Sequence, residues 1–270
     1  LLCVWRHSRY YNTPPCLAVI MCEICNDLVE QARKFVTAPE LFAIDPTEAV
    51  QRLTLALRVG EEFKSTFYEF RAKSAIECPD NPWQIQVNAL FARLDSFLER
   101  CYNLLNLCQT ITQFLKLERV DIGGNKGEVL TSSAQDVYKR FMKLLAHWQA
   151  VAYDVLDVNE PAAVKSFDRD FFDFMEQIKE LEQQLASILT VGLNDAGTVQ
   201  GAFKLIDSFG DLLLRDFITA DIEAKNLQLI YQYGEGLKEV QQLFSRDRHQ
   251  SMAGKFYARE GPPLFVNMPP

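Results

Sequence analysis

Across residues 88–118 the apolar positions recur at Leu90, Leu94, Phe97, Cys101, Leu104, Cys108, Ile111 and Leu115. Steps of four and three alternate along the run, which is the heptad seam of a long helix. Neither Pro nor Gly interrupts it. At about 1.5 Å per residue the helix is a rod of roughly 45 Å. Leu98, Leu105, Phe114 and Leu117 widen the seam, and a wide apolar face suits two or more packing neighbours rather than one.

The same period marks elements on both sides. Thr13-Pro14 is a helix start, because Thr can cap and Pro at the first helical position loses no hydrogen bond. Leu17, Ile20, Ile24, Leu28 and Ala32 then give one face, to about residue 35. A second helix is expected over 47–73, with Val50, Leu53, Leu57, Phe63, Phe67 and Phe70 on one side and Gly60 as a weak point. The segment 78–83 reads as a turn in which two prolines flank Asp80-Asn81 and Trp83 anchors the corner by burial.

Beyond the seam helix, Ser132 or Ser133 starts a helix reaching about residue 157, with Val137, Phe141, Leu144, Leu145, Trp148, Val151, Ala152 and Val155 in its stripe. Another covers 167–190. There Phe171, Phe174, Ile178, Leu181, Leu185 and Ile188 face one way, and Asp173, Gln177, Lys179, Glu182 and Gln183 face the other. Asp168 and Asp170 are expected at its positive N-terminus. A Gly-rich joint over 192–201 leads to Phe203, Ile206, Phe209 and Leu213. The last helix, 221–244, carries Leu227, Ile230, Leu237, Val240 and Phe244, with a bend expected at Gly234 and Gly236.

Strand alternation is almost absent, so the expected fold is all-α: an elongated array of six to eight long antiparallel helices forming bundles. The expected organisation is a lead-in arm over 1–13, a bundle over 14–120, a Gly-containing elbow over 121–132, a second bundle over 133–260 and a Pro-rich exit over 261–270. A chain that opens on Leu and closes on Pro also reads as a segment of a longer one.

Composition narrows the function. Of 270 residues 48% are hydrophobic, enough for an extended core, and the formal net charge of −8 argues against a general nucleic-acid binder and against attachment to an anionic membrane. No apolar run reaches the ~18 residues of a spanning helix. The seven cysteines are an odd number, and Cys101 and Cys108 lie on the seam as small core hydrophobes, a usage that fits a reducing compartment.

Candidate chemistry is sparse. Cys22 and Cys25 form a CxxC, but inside a helix and without a second pair of ligands, so packing outweighs metal or redox work. The glycines of 121–127 invite a phosphate-loop reading. A Walker loop needs GxxxxGK followed by Ser or Thr, after a strand, and here the lysine lies between Asn125 and Gly127 behind a long helix. A tight reversal is the simpler use. Glu61 and Glu62 read as a solvated helix side. His147 stands without a nucleophile or acid to complete a triad. The opening segment, with Trp5, Arg6, His7, Arg9, Tyr10 and Tyr11, reads either as a lead-in that lays its rings on the first helix or as a docking arm.

Several long motifs resemble one family. Residues 5–14, Trp-Arg-His-Ser-Arg-Tyr-Tyr-Asn-Thr-Pro, are similar to the tail region of dynein heavy chains, especially axonemal ones. Residues 23–29 (Glu-Ile-Cys-Asn-Asp-Leu-Val) and 91–101 (Phe-Ala-Arg-Leu-Asp-Ser-Phe-Leu-Glu-Arg-Cys) continue the resemblance. Residues 114–127 resemble that family's elbow, and Pro262-Pro263 with 267–270 its continuation into further tail helices.

The resemblance implies a non-catalytic stem of helical bundles that joins heavy chains to one another and to intermediate and light chains. It also implies anchoring, through docking proteins, to the doublet microtubule of a cilium or flagellum. It places ATP and magnesium in a distant motor region and implies no catalytic, cofactor or metal residue in this segment, no nucleic acid and no membrane. On the matched positions, Asp95 and Arg100 would fix neighbouring helices, Gly123, Gly124 and Gly127 would shape the elbow, and Trp5, Tyr10 and Tyr11 would be anchors. Trp83 and Trp148 are further structural or interface candidates. A stand-alone helical adaptor or tethering subunit of a large cytoskeletal complex is the alternative reading.

Overall fold

Residues 2–77, 86–124, 126–196 and 198–250 are described by a computed structural model. Among them there are helices and turns and no strand. The helices are α1 (Leu2–His7), α2 (Pro14–Val36), α3 (Pro46–Glu77), α4 (Val87–Leu115), α5 (Gly127–Gln149), α6 (Pro161–Asp195), α7 (Val199–Phe209) and α8 (Asp216–Gln250). Short 3-10 turns follow α2, α4 and α7. The turn expected at 78–83, Trp83 included, and the exit over 261–270 lie outside the described residues.

The seam helix is α4, and it is central. Leu90, Leu94, Phe97, Cys101, Leu104, Cys108 and Ile111 are all buried, as are Phe91, Leu98, Leu107 and Phe114 on the flanks. Apolar side chains on so much of its circumference draw α2 and α3 onto one stretch and α5 onto another. Strand-like alternatives are excluded by the 3.6-residue period itself. α3 and α4 run antiparallel: the Phe63 and Phe67 rings meet Phe91 edge to face at 6.4 and 5.1 Å, and Gly60 lies against Leu98. α5 and α6 pair the same way, with Arg140 opposite Glu180 and Trp148 opposite Phe167 and Phe174.

Several expected boundaries and faces are corrected. α5 begins at Gly127, not at Ser132 or Ser133, and ends at Gln149, so Val151, Ala152 and Val155 belong to the loop before α6. α6 begins at Pro161, which puts Asp168 and Asp170 more than one turn inside it rather than at its positive end. The joint expected at 192–201 is shorter, because α6 continues to Asp195. Gly192 sits inside it, and a Cβ there would come within 2.7 Å of Leu205.

Gly60 is likewise no weak point. α3 passes through it unbroken, and its missing side chain admits Leu98, which a Cβ would approach to 2.5 Å. On α2 the buried row is Leu17, Met21, Cys25, Val29 and Val36, while Ile24 is exposed. The expected row stands beside the true one because both are apolar and four residues apart, and only the neighbours choose between them. Among the described side chains of α8 the buried ones are Ile218, Ile222 and Leu229, whereas Leu227, Ile230, Leu237, Val240 and Phe244 are exposed.

Candidate functional site

Two arginines from helix ends and seams hold the helices in register. Arg100 lies on α4 one position before Cys101, within the wide apolar face. Its guanidinium is buried, donates to the carbonyls of Val155 and Asp157 at 3.0 and 3.4 Å, and approaches Asp168 on α6 at 3.6 Å. It covers the Phe167 ring at 3.7 Å from the centroid. Burial pulls its pKa below the ordinary arginine value, and Asp168 opposes that pull. One side chain thus ties α4 to α6 and to the loop over 150–160. Arg33 of α2 holds the same loop through Asp154 at 2.6 Å.

The second clamp is Arg215, at the residue before α8. It is ion-paired with Glu182 of α6, donates to Thr110 Oγ1 at 3.0 Å and to Gln113 Oε1 at 2.8 Å on α4, and faces the Phe114 ring at 5.8 Å. Glu182 is buried, not on the solvent side expected from helical period. Both ions are satisfied by charge and by hydrogen bonds, the condition under which a buried pair is tolerated. The signal that existed in the sequence is a charged pair, Arg215-Asp216, set between Leu213-Leu214 and Phe217-Ile218.

Of the residues singled out from sequence, Asp95 pairs with Lys64 and joins α4 to α3, while Arg93 beside it donates to Asn26 at 2.9 Å and pairs with Glu30 on α2. Trp148 is buried among Phe42, Phe167 and Phe174, at 5.7, 5.7 and 6.0 Å between ring centroids. Gly124 has φ +102, and Gly127 opens α5 with a Cβ position only 2.1 Å from the Ile122 carbonyl oxygen. Gly123 meets nothing within 4 Å and is exposed. These glycines form a reversal closed by Gly127 N–H donating to the Gly124 carbonyl at 3.1 Å.

Trp5 lies in α1. Tyr10 is 83% exposed and Tyr11 46%. Their backbone N–H groups donate to Ser8 Oγ at 3.2 and 3.1 Å, a local turn that presents both rings outward.

The CxxC is a packing feature: Cys25 is buried and burial pushes its thiol up to about 11, with Cys22 adding to the rise. Burial holds Cys101 and Cys108 at about 12. His147 stands 3.6 Å from Asp170, whose carboxylate also accepts from the Tyr153 hydroxyl at 2.9 Å. Among the described residues no three of His, Cys, Asp and Glu gather as a metal cluster, and no helix is long and apolar enough to cross a membrane.

Long helices, arginine clamps between them and apolar side chains left on the outside define a class: an all-α helical scaffold. Residues 1–270 match the family described as dynein heavy chain, N-terminal region 1, and the chain belongs to that family. It is 44% identical over 255 residues to the dynein beta chain of the flagellar outer arm of Chlamydomonas reinhardtii, a match covering 94% of this chain and 6% of that one. It is 30% identical over 270 residues to the ciliary dynein beta chain of Heliocidaris crassispina, covering 98% and 6%. With dynein axonemal heavy chain 17 of Homo sapiens the identity is 28% over 273 residues, covering 99% and 6%. The chain therefore spans about 6% of the length of these relatives. It is the non-catalytic tail region of an axonemal type of dynein heavy chain, a component of the ciliary or flagellar cytoskeleton.

Proposed function

We propose that this segment assembles and anchors an ATP-driven microtubule motor that powers ciliary beating. In this reading it supports association between heavy chains, binds intermediate and light chains, and meets docking proteins on the doublet microtubule. ATP and magnesium act in the motor region of the same heavy chain, outside these residues. The observation that carries the reading is the match to the tail family from end to end, with 44% identity to a flagellar outer-arm chain.

Surface chemistry supports it. Tyr10 and Tyr11 stand out from the turn after α1. Tyr gives large contact area at low entropy cost. Nearby, a groove of about 550 Å³ runs between α1, α2 and α3, lined by Met21, Ile24, Phe63, Phe67 and Phe70. Internally, the Asp95, Arg100 and Arg215 contacts cross between helices, as a segment that transmits force requires.

The test is co-purification of the native heavy chain from axonemes, with and without Tyr10→Ala/Tyr11→Ala and Phe70→Asp. Loss of intermediate or light chains, with the helical content intact, is the expected result. Retention of every subunit by all the surface variants would count against an assembly role. Specific ATP turnover by residues 1–270 would contradict the non-catalytic assignment.

A further inference from the structure

α8 outruns the bundle it starts on. Lys179 of α6 lies 5.9 Å over the Phe217 ring near the start of α8, and Phe203 of α7 meets Tyr233 edge to face at 6.0 Å. α7 folds back from the end of α6, placing Leu205 against Gly192. Tyr233 can reach Phe203 only if α8 runs in the same sense as α6. α8 is therefore level with the end of α6 near Tyr233, but α6 stops at Asp195 and α8 continues to Gln250. At 1.5 Å per residue the remainder projects about 25 Å.

The distal half of α8 has a seam of its own. Ile230, Tyr233, Leu237, Val240 and Phe244 follow one another at steps of three and four, and each is between 52% and 68% exposed. This seam lies beside the interface already made. Steps of seven lead from buried Ile222 and Leu229 to Gly236 and Leu243, so the seam adjoins the side that α8 lays on the bundle, about one residue's rotation round the helix. The residues flanking the seam are Gly234, Gly236, Gln241 and Leu243, all uncharged. An added Cβ at Gly234 or Gly236 would meet nothing within 4 Å. Glycine is a poor helix former, and a pair of them beside a seam lets another backbone approach closely.

We propose that the distal half of α8 is a splice, covered in the native molecule by an amphipathic helix of the same heavy chain from beyond residue 270. The proposal rests on the tail-segment reading above. The occupant has a broad apolar stripe and needs no charge complement, since the seam's flanks carry none.

Its source follows from the length of the seam. Two heptads fall short of the three to four that sustain a free-standing coiled coil, so a second copy of α8 would pair weakly. A helix tethered in the same chain by a short linker acts at an effective concentration near the millimolar range, where a short seam suffices. The relatives supply such chain: the matched region is an N-terminal one and makes up 6% of their length.

The experiment places a photo-crosslinking benzophenone amino acid at position 237 of the full heavy chain, purified from axonemes. After irradiation, peptides are mapped by mass spectrometry, and hydrogen exchange of residues 230–246 is measured on the same preparation. The expected product joins position 237 to a residue after 270 of the same polypeptide, with slow exchange across the seam. Val240→Asp should cut the yield of that product at least tenfold and speed the exchange. A product joined to another polypeptide, or to a residue before 271, overturns the proposal, as does fast exchange over 230–246 in the unaltered chain. If the native polypeptide instead ends near residue 270, its intact mass shows it, and the tail reading fails first.

Discussion

The guanidinium of Arg100 brings its central carbon to 3.7 Å from the Phe167 ring centroid, while one of its nitrogens, Nη1, donates to the carbonyls of both Val155 and Asp157. A cation removed from water, stacked on a ring and bonded to two carbonyls fixes three pieces of chain at once. Arg100→Met keeps much of the side-chain volume and removes the two hydrogen bonds, the Asp168 contact and the cation–ring contact. It should lower the unfolding free energy by about 2–3 kcal/mol, read as a lower urea midpoint with an unchanged slope. A loss below about 0.5 kcal/mol would show that the loop over 150–160 is held by other contacts.

Arg215 and Glu182 make a different prediction, because removing the arginine leaves the buried Glu182 carboxylate without its counter-ion. Arg215→Met should cost about 3–5 kcal/mol. The double substitution Arg215→Met/Glu182→Met should cost less than Arg215→Met alone, since it removes the stranded carboxylate. A double-mutant cycle by urea denaturation checks the order. If the double variant is the weaker one by the sum of the singles, the two residues do not act as a pair.

The glycines of the reversal after α4 should respond unequally. Gly127→Ala forces a Cβ to 2.1 Å from the Ile122 carbonyl oxygen, contact with backbone that cannot rotate away. It should destabilise by at least 1–3 kcal/mol, about the cost of overpacking. Gly123→Ala meets open space, and its effect should stay within about 0.5 kcal/mol. Thermal melts of the two variants side by side test the contrast, and equal melting temperatures would sink it.

Thiol chemistry gives a pH test. Burial raises the thiols of Cys101 and Cys108 from 9.0 to about 12 and that of Cys25 to about 11. The unfolded chain then loses these protons first as pH rises through 9, so it binds fewer protons than the folded chain. Folding stability should therefore be intact below pH 9 and fall between pH 9 and 12, by up to about 1.4 kcal/mol per pH unit for each thiol. In the native protein at pH 8, a maleimide should label exposed Cys3 quickly and leave these three unmodified. Prompt labelling of Cys101 or Cys108 without denaturant would contradict their burial.

The all-α class and the place of α4 were legible because every residue of its seam from Leu90 to Ile111 is core, so no choice of face was needed. α2 was harder. Its rows through Ile20 and Met21 are both apolar, and only the position of α3 and α4 decides that Met21, Cys25 and Val29 go inside. The α8 stripe was recognised, yet it faces away from the bundle: Leu227 and Ile230 are exposed where α8 still lies along α6, while Ile222 and Leu229 turn inward, and no period within α8 records that choice. Glu182 read as polar surface because its partner stands 33 residues away, and the pairing exists only after α4, α6 and the start of α8 have met. The Gly127 start of α5 was hidden by the conventional capping residues Ser132 and Ser133. Ser133 instead donates within the helix to the Val129 carbonyl at 2.9 Å.

The most direct measurement is the intact mass of the native polypeptide that carries this sequence, isolated with its bound subunits from axonemes. The 255 residues aligned with the flagellar outer-arm beta chain make up 6% of it, which implies a chain of about 4,000 residues. A heavy chain of that order, extracted together with intermediate and light chains, is the expected result. A free polypeptide of about the 30.9 kDa of these 270 residues, absent from the axoneme, would contradict the assignment of the segment to a motor's tail.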